Sequence, residues 1–141
     1  MIPTEKLVDM RLKHLEMIQA VVARMSGYSA TLKNYCITLV IAVIGFALTM
    51  KQANLIALAA LAIVTFAYLD ARYLQLERSY RSLFNDVRLQ DWDARPLFDL
   101  RPSLLDKHPY WEAFLSWSIV GFYAPVLVVV SIIYVLSRFI T

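Results

Sequence analysis

The stretch ANLIALAALAIVTFAYLDARYLQLERSYRSLFNDVR, Ala53 to Arg88, begins as an uncharged apolar run and ends as a charged amphipathic one, with no Gly or Pro to interrupt it. From Leu69 onward, Leu69, Tyr73, Leu76, Tyr80, Leu83 and Val87 recur at alternating intervals of four and three. That is a heptad seam. A single helix that crosses a bilayer and continues into water accounts for both halves. Glu77 and Arg81 stand four apart off the seam, in the order that favours a helical ion pair.

The rest of the chain fits the same solvent. Of its 141 residues, 60% are hydrophobic and only 18% charged, and the mean hydropathy is +0.56, far more apolar than an ordinary soluble domain. The net charge is +3, but the basic residues bracket apolar segments instead of forming a run. Cationic flanks of this kind anchor and orient spans, so the partner expected is the lipid bilayer, with no direct nucleic-acid contact. The N-terminus carries charges where a cleavable signal would need an apolar core, so the first span itself is expected to act as the insertion signal.

Moving outward from the opening stretch, Tyr35 to Met50 is an uncharged run between Lys33 and Lys51. At about 1.5 Å per residue it covers roughly 24 Å, a short span that snorkelling lysines complete. Thr38, Ala42, Gly45 and Thr49 form a small-residue stripe on it, with Ala53, Ala57, Ala60, Val64 and Ala67 as the matching stripe of the second span. Small residues let helices approach closely in lipid. About four residues, Lys51 to Asn54, join the two spans in a tight hairpin. Before them, residues 5 to 26 form an amphipathic helix with Thr4 as N-cap and Val8, Leu12, Leu15, Ile18, Val22 and Met25 on one face. It either packs on the seam or lies on the bilayer surface. Gly27 and Tyr28 mark either a bend or a soft place in a helix that runs on.

After Arg88 the texture changes to a connector of about 20 residues with Pro96, Pro102 and Pro109, expected to be held against the helices by Trp92, Leu97, Phe98 and Leu100. It is either functional or loosely ordered. A third span begins near Phe114 and ends near Ser137, with Tyr110, Trp111, Trp117 and Tyr134 as aromatic belts and Pro125 as a kink, either filled by a neighbouring helix or used as a hinge. The resulting organisation is 1–33 amphipathic helix, 34–88 transmembrane hairpin with helical extension, 89–112 connector and 113–141 third span. Twelve basic residues lie before the first span or between the second and third; only Lys51 and Arg138 lie on the other side. The fold expected is therefore an all-α, three-span, multi-pass protein, N-terminus in the cytoplasm and C-terminus outside, with the long helices extended into the cytoplasm.

Chemistry is sparse. Cys36 is the single thiol, His14 and His108 stand alone, and there is no phosphate-binding glycine loop, so no catalytic residue, cofactor or metal is expected. Asp91 and Asp93 read as a solvated loop face. The spans hold no Asp, Glu, His, Lys or Arg, which disfavours ion-coupled transport. A pore built by several copies would be lined by Thr38, Thr49, Thr65, Ser131 or the small stripes; the alternative for those residues is helix packing. At the end of the second span, Asp70 lies near Arg72, with Gln19, Arg24 and Lys33 approaching the same level, and is expected to pair with one of these basic groups, fixing register or acting as a gate.

Two segments, LEMIQAVVARMSGYSATLKNYCITLVIA (Leu15–Ala42) and YLDARYLQLERSYRSLFNDVR (Tyr68–Arg88), resemble small bacterial membrane proteins of the SLATT type, the two-transmembrane effectors of antiphage systems. The resemblance covers about residues 12–88 and rests on Gln19, Arg24, Met25, Ser29, Lys33, Asp70, Tyr73, Glu77, Arg78 and Arg81. It departs at Tyr28, where a small polar residue is expected, and in the third span and connector. It implies a homo-oligomer of the bacterial inner membrane that forms or gates a pore when a cytoplasmic sensor protein or signal molecule rearranges its helices. The interface or gate would then comprise Gln19, Arg24, Lys33, Asp70, Tyr73, Leu76, Glu77, Arg78, Tyr80 and Arg81, and the pore or packing surface Thr38, Ala42, Gly45, Thr49, Ala57, Ala60 and Pro125. The alternatives are a non-conducting anchor or adaptor for a cytoplasmic partner and, more distantly, a housekeeping channel.

Overall fold

A computed structural model describes residues 3–102 and 109–140; Lys107, His108 and Thr141, which enter the sequence reading, lie outside the described residues, as does part of the 89–112 connector. Among the described residues the chain is helical, with no strand: α1 (Thr4–Thr49), a 3₁₀ turn (Ala53–Leu55), α2 (Ile56–Leu89), α3 (Tyr110–Phe114) and α4 (Trp117–Ile140). Three helical runs are long and apolar enough to cross a membrane, Thr4–Thr49, Ala53–Leu89 and Trp117–Phe139. These define a membrane protein by length and composition.

α1 is one helix of 46 residues, about 69 Å long, more than twice the hydrocarbon thickness of a bilayer. It runs through Gly27, Tyr28 and Lys33 without a break, so the boundary at 33/34 is a change of surface and not of secondary structure. No proline lies between Pro3 and Pro96 to stop either long helix. Thr4 is the first helical residue and not the cap. Pro3 holds the cap position at φ −59°, ψ 141°, and its carbonyl accepts from the Lys6 and Leu7 amides.

The hairpin turn follows from backbone hydrogen bonding. Gln52 N–H reaches Ala47 O and Lys51 N–H reaches Leu48 O, the paired bonds of a Schellman motif, with Lys51 at φ 53° where glycine is usual. Beyond the turn α1 and α2 run antiparallel: the ion pair of Lys33 with Asp70, the ring contact of Tyr28 with Tyr73 and the bond from Arg11 to Gln90 fall in order away from it.

The core joins Cys36, Val40 and Ala47 of α1, Ile56, Ala59, Ile63, Ala67 and Ala71 of α2, and Ile119, Tyr123 and Val130 of α4. This departs from the stripes expected from sequence. Thr38, Ala42, Gly45, Thr49, Ala57 and Val64 are exposed, and Ala60 is half-buried. Leu69 of the seam is also exposed, while Asp70, Ala71, Gln75 and Ser79 are buried. In the apolar half α4 packs on α2 beside α1, which widens the covered face there and takes in small residues that admit both neighbours.

α4 begins later than expected. α3 ends at Phe114, and the Ser116 carbonyl accepts from Ile119 and Val120 to start α4, which then continues through Pro125.

Candidate functional site at the boundary of the apolar and charged halves

Where the apolar part of the hairpin meets its charged part, Asp70 has 0% of its surface exposed. Lys33, one helix across, places its Nζ 2.5 Å from Asp70 Oδ2. Ser29, one turn from Lys33 on the same face of α1, donates to Asp70 Oδ1 at 2.5 Å and accepts from Lys33 Nζ at 2.9 Å. Ala67 and Ala71, both buried on α2 beside Asp70, leave α1 room to come this close. Among the three basic partners expected, Arg24, Lys33 and Arg72, the structure selects Lys33. Arg24 and Gln19 are exposed, and Arg72 turns the other way, its guanidinium 5.9 Å from the Tyr68 ring and 5.3 Å from the Tyr110 ring.

The third long helix also reaches this point. Lys33 Nζ lies 5.8 Å from the Phe122 ring centroid and 5.9 Å from that of Tyr123. Tyr123 is 4% exposed. Its hydroxyl stands close enough to Asp70 to feel the carboxylate, yet makes no hydrogen bond of ordinary geometry. The site is thus a three-helix joint: a buried carboxylate from α2, its ammonium and hydroxyl donors from α1, and two rings from α4. A buried pair of this kind is a poor source of net stability but a strong constraint, because separating its members leaves a charge without compensation. Nothing in the sequence assigned Tyr123 or Phe122 to this place; an aromatic pair one turn before Pro125 carries no charge signal.

A second polar contact, at the end remote from the turn, was also not legible. Arg11 is 1% exposed and His14 is 3% exposed on α1. Arg11 donates to Gln90 Oε1, Asp91 O and Ala94 O at 2.8, 2.7 and 3.1 Å, which places a cation at the C-terminal end of α2, where the helix dipole favours it. His14 Nε2 lies 2.9 Å from Asp99 O, its ring 5.4 Å from that of Phe98. These two side chains hold the connector together with buried Pro96 and half-buried Trp92 and Leu100; Leu97, expected to help, is 90% exposed, while Phe98, at φ 54°, packs on the His14 ring. Asp91 and Asp93 are exposed, and the Asp91 carboxylate caps the Asp93 amide.

The remaining sequence candidates divide. Glu77 and Arg81 form their ion pair at 2.7 Å, but Glu77 faces inward. Tyr73 packs on Tyr28; Leu76, Arg78 and Tyr80 are half-buried. Gln19 and Arg81 come together with Val22, Ser26, Phe84 and Asn85 around a groove of about 460 Å³, which Arg24 does not join. The hydroxyls considered for a pore, Thr38, Thr49, Thr65 and Ser131, each bond the carbonyl four residues back on their own helix. Gly45 and Pro125 line an apolar groove of about 530 Å³ with Ile37, Ile41, Val129 and Ile133. Burial raises the Tyr110 phenol above its ordinary pKa; Tyr68 adds to the shift and Arg72 opposes it. Among the described residues no group of three His, Cys, Asp or Glu side chains gathers to hold a metal.

Comparison with protein-family models, with curated proteins and with solved structures finds no match to this chain. What is defined is the class, an α-helical protein with three candidate membrane-crossing helices and a buried ionic joint among them.

Proposed function

We propose that this chain is an oligomeric effector of the bacterial inner membrane, serving antiphage defence or programmed cell death by forming or gating a pore. The observation that carries the reading is the joint. Two uninterrupted helices pass from charged to apolar surroundings, and at that level Lys33 and Asp70 fix them to each other and to α4. A movement of the charged halves therefore has a route to all three apolar helices. The surplus of basic residues on that side supports a cytoplasmic N-terminus, and the segments around Gln19, Lys33, Asp70 and Arg81 resemble the SLATT-type effectors in layout. Half-buried Leu76 and Tyr80 are available to a second copy.

Induced expression in bacteria, followed with a potential-sensitive dye, is the direct test. Depolarisation is expected, and Leu76→Asp or Tyr80→Asp abolishes it without removing the protein from the membrane fraction. An unchanged potential with the protein present in the membrane refutes the effector reading. One observation favours a second reading, a non-conducting adaptor: the groove between Gln19 and Asn85 and the docked connector present a shaped surface on the charged half. That reading expects co-purification of a soluble partner and no flux in liposomes.

A further inference from the structure

The end of the molecule that carries the hairpin turn holds two cations, Lys51 of the turn and Arg138 near the end of α4. Together with Gln52, Ala53 and Asn54 they line one pocket of about 420 Å³. The two come from elements far apart in sequence, and the packing of α4 beside the turn brings them to a common space. Neither has a carboxylate partner: the ion pairs among the described residues are Lys13–Glu16, Lys33–Asp70 and Glu77–Arg81. No Asp or Glu side chain occurs between Glu16 and Asp70 or after Glu112.

Two further features belong to the same place. Lys51 sits at φ 53°, in the Schellman position where glycine is free of strain and a side chain is not. A lysine held there against its backbone preference is accounted for if its ammonium is needed. Next to the pocket, and sharing Lys51, Gln52 and Ala53 with it, is a cavity of about 280 Å³ walled by Ala47, Leu48 and Ile56. Charge at one end and apolar wall at the other is the layout of an amphiphile.

We infer that this pocket binds a phosphate ester anion, with Lys51 and Arg138 on the phosphate and the amide side chains of Gln52 and Asn54 as further donors. Its source is the headgroup of an anionic phospholipid, whose glycerol and first methylenes enter the apolar cavity. The lipid would then bridge the α1–α2 turn to the end of α4, a junction at which the described residues form no ion pair.

The test uses the full chain purified in detergent and its thermal unfolding midpoint. Three additives are compared: dioleoylphosphatidylglycerol, dioleoylphosphatidylcholine and glycerol 1-phosphate. At roughly a hundredfold excess over its dissociation constant, phosphatidylglycerol is expected to raise the midpoint by about 5 °C or more. Lys51→Gly removes the charge while relieving the left-handed backbone, so it folds at least as stably without lipid and loses most of the shift; Arg138→Gln loses it too. A shift produced equally by glycerol 1-phosphate, and lost in both variants, keeps the anion site and assigns it to a soluble phosphate ester. An equal shift from phosphatidylcholine, full retention of the shift in both variants, or no shift in the wild type overturns the inference.

Discussion

Truncating the two partners of the buried pair separately is expected to give unequal losses. At 2.5 Å and an effective dielectric constant of about 20, the gross attraction is roughly 6–7 kcal/mol, most of it cancelled by the desolvation of two charges. In Lys33→Met the carboxylate of Asp70, with 0% exposure, keeps the Ser29 hydroxyl as donor and the Tyr123 hydroxyl nearby but no cation, so the loss is that of an uncompensated buried charge, about 3–5 kcal/mol. In Asp70→Asn the amide oxygen can still accept from Ser29, and the Lys33 side chain, 19% exposed, can swing toward solvent, so about 1–3 kcal/mol is expected. Lys33→Met combined with Asp70→Leu leaves no charge to compensate and comes within about 1–2 kcal/mol of the wild type. Unfolding by a denaturing detergent titrated into a mild one, read by circular dichroism, gives the double-mutant cycle. Equal losses from the two single variants, or simple additivity in the double, refute the assignment of Asp70 as the member held away from solvent by its partners.

Two other outcomes follow from the polar contacts. Arg11→Met leaves the Gln90 side chain and the Asp91 and Ala94 carbonyls without their donor, at a cost of about 2–4 kcal/mol for the docked connector; hydrogen exchange at residues 90–101 is expected to quicken while that of α4 does not change. Tyr123→Phe removes a buried hydroxyl that stands beside Asp70 without a hydrogen bond of ordinary geometry, and is expected to change stability by no more than about 1 kcal/mol in the same detergent titration. A loss above about 1 kcal/mol would show that the hydroxyl has a partner in solution.

The hydropathy of the chain made the three membrane-crossing helices legible, because an uncharged run of that length has few other solutions. Register was harder. The choice of Lys33 over Arg24 as the partner of Asp70 depends on how many residues the turn consumes, and the Schellman turn through Lys51 follows from backbone bonding that no side chain announces. The connector was legible in part. Trp92, Phe98 and Leu100 do lie against the molecule and Leu97 does not, whereas Arg11 and His14 act on main-chain carbonyls, which have no sequence signature. One clue was present: the Ile18, Val22, Met25 stripe, continued backward with its alternation of three and four, passes through Leu15 to Arg11 and not to Leu12, and Leu12 is indeed 47% exposed.

The joint tolerates a single alignment of the hairpin. Sliding α1 past α2 by one turn displaces it about 5.4 Å, more than the 2.5 Å that separates Lys33 from Asp70. One turn either way along α2 stand Phe66 and Leu74, and one turn toward the hairpin along α1 stands Ile37. Neither charge would meet an opposite one: Asp70 would face Ile37 in one direction and only the neutral Ser29 in the other. The small residues of the core carry no such information, since alanines at successive turns of α2 pack nearly as well one turn out of place. Specificity of register therefore lies in the ion pair and stability lies in the packing, in line with the best-attested role of buried polar groups in helical assemblies. The connector adds to this. It is tied to α1 through Arg11 and His14, and the chain that follows it returns as α4 to Lys33. Any rearrangement of the charged half must then rotate the hairpin as a unit or break the pair, and only the second leaves Asp70 exposed to a new partner.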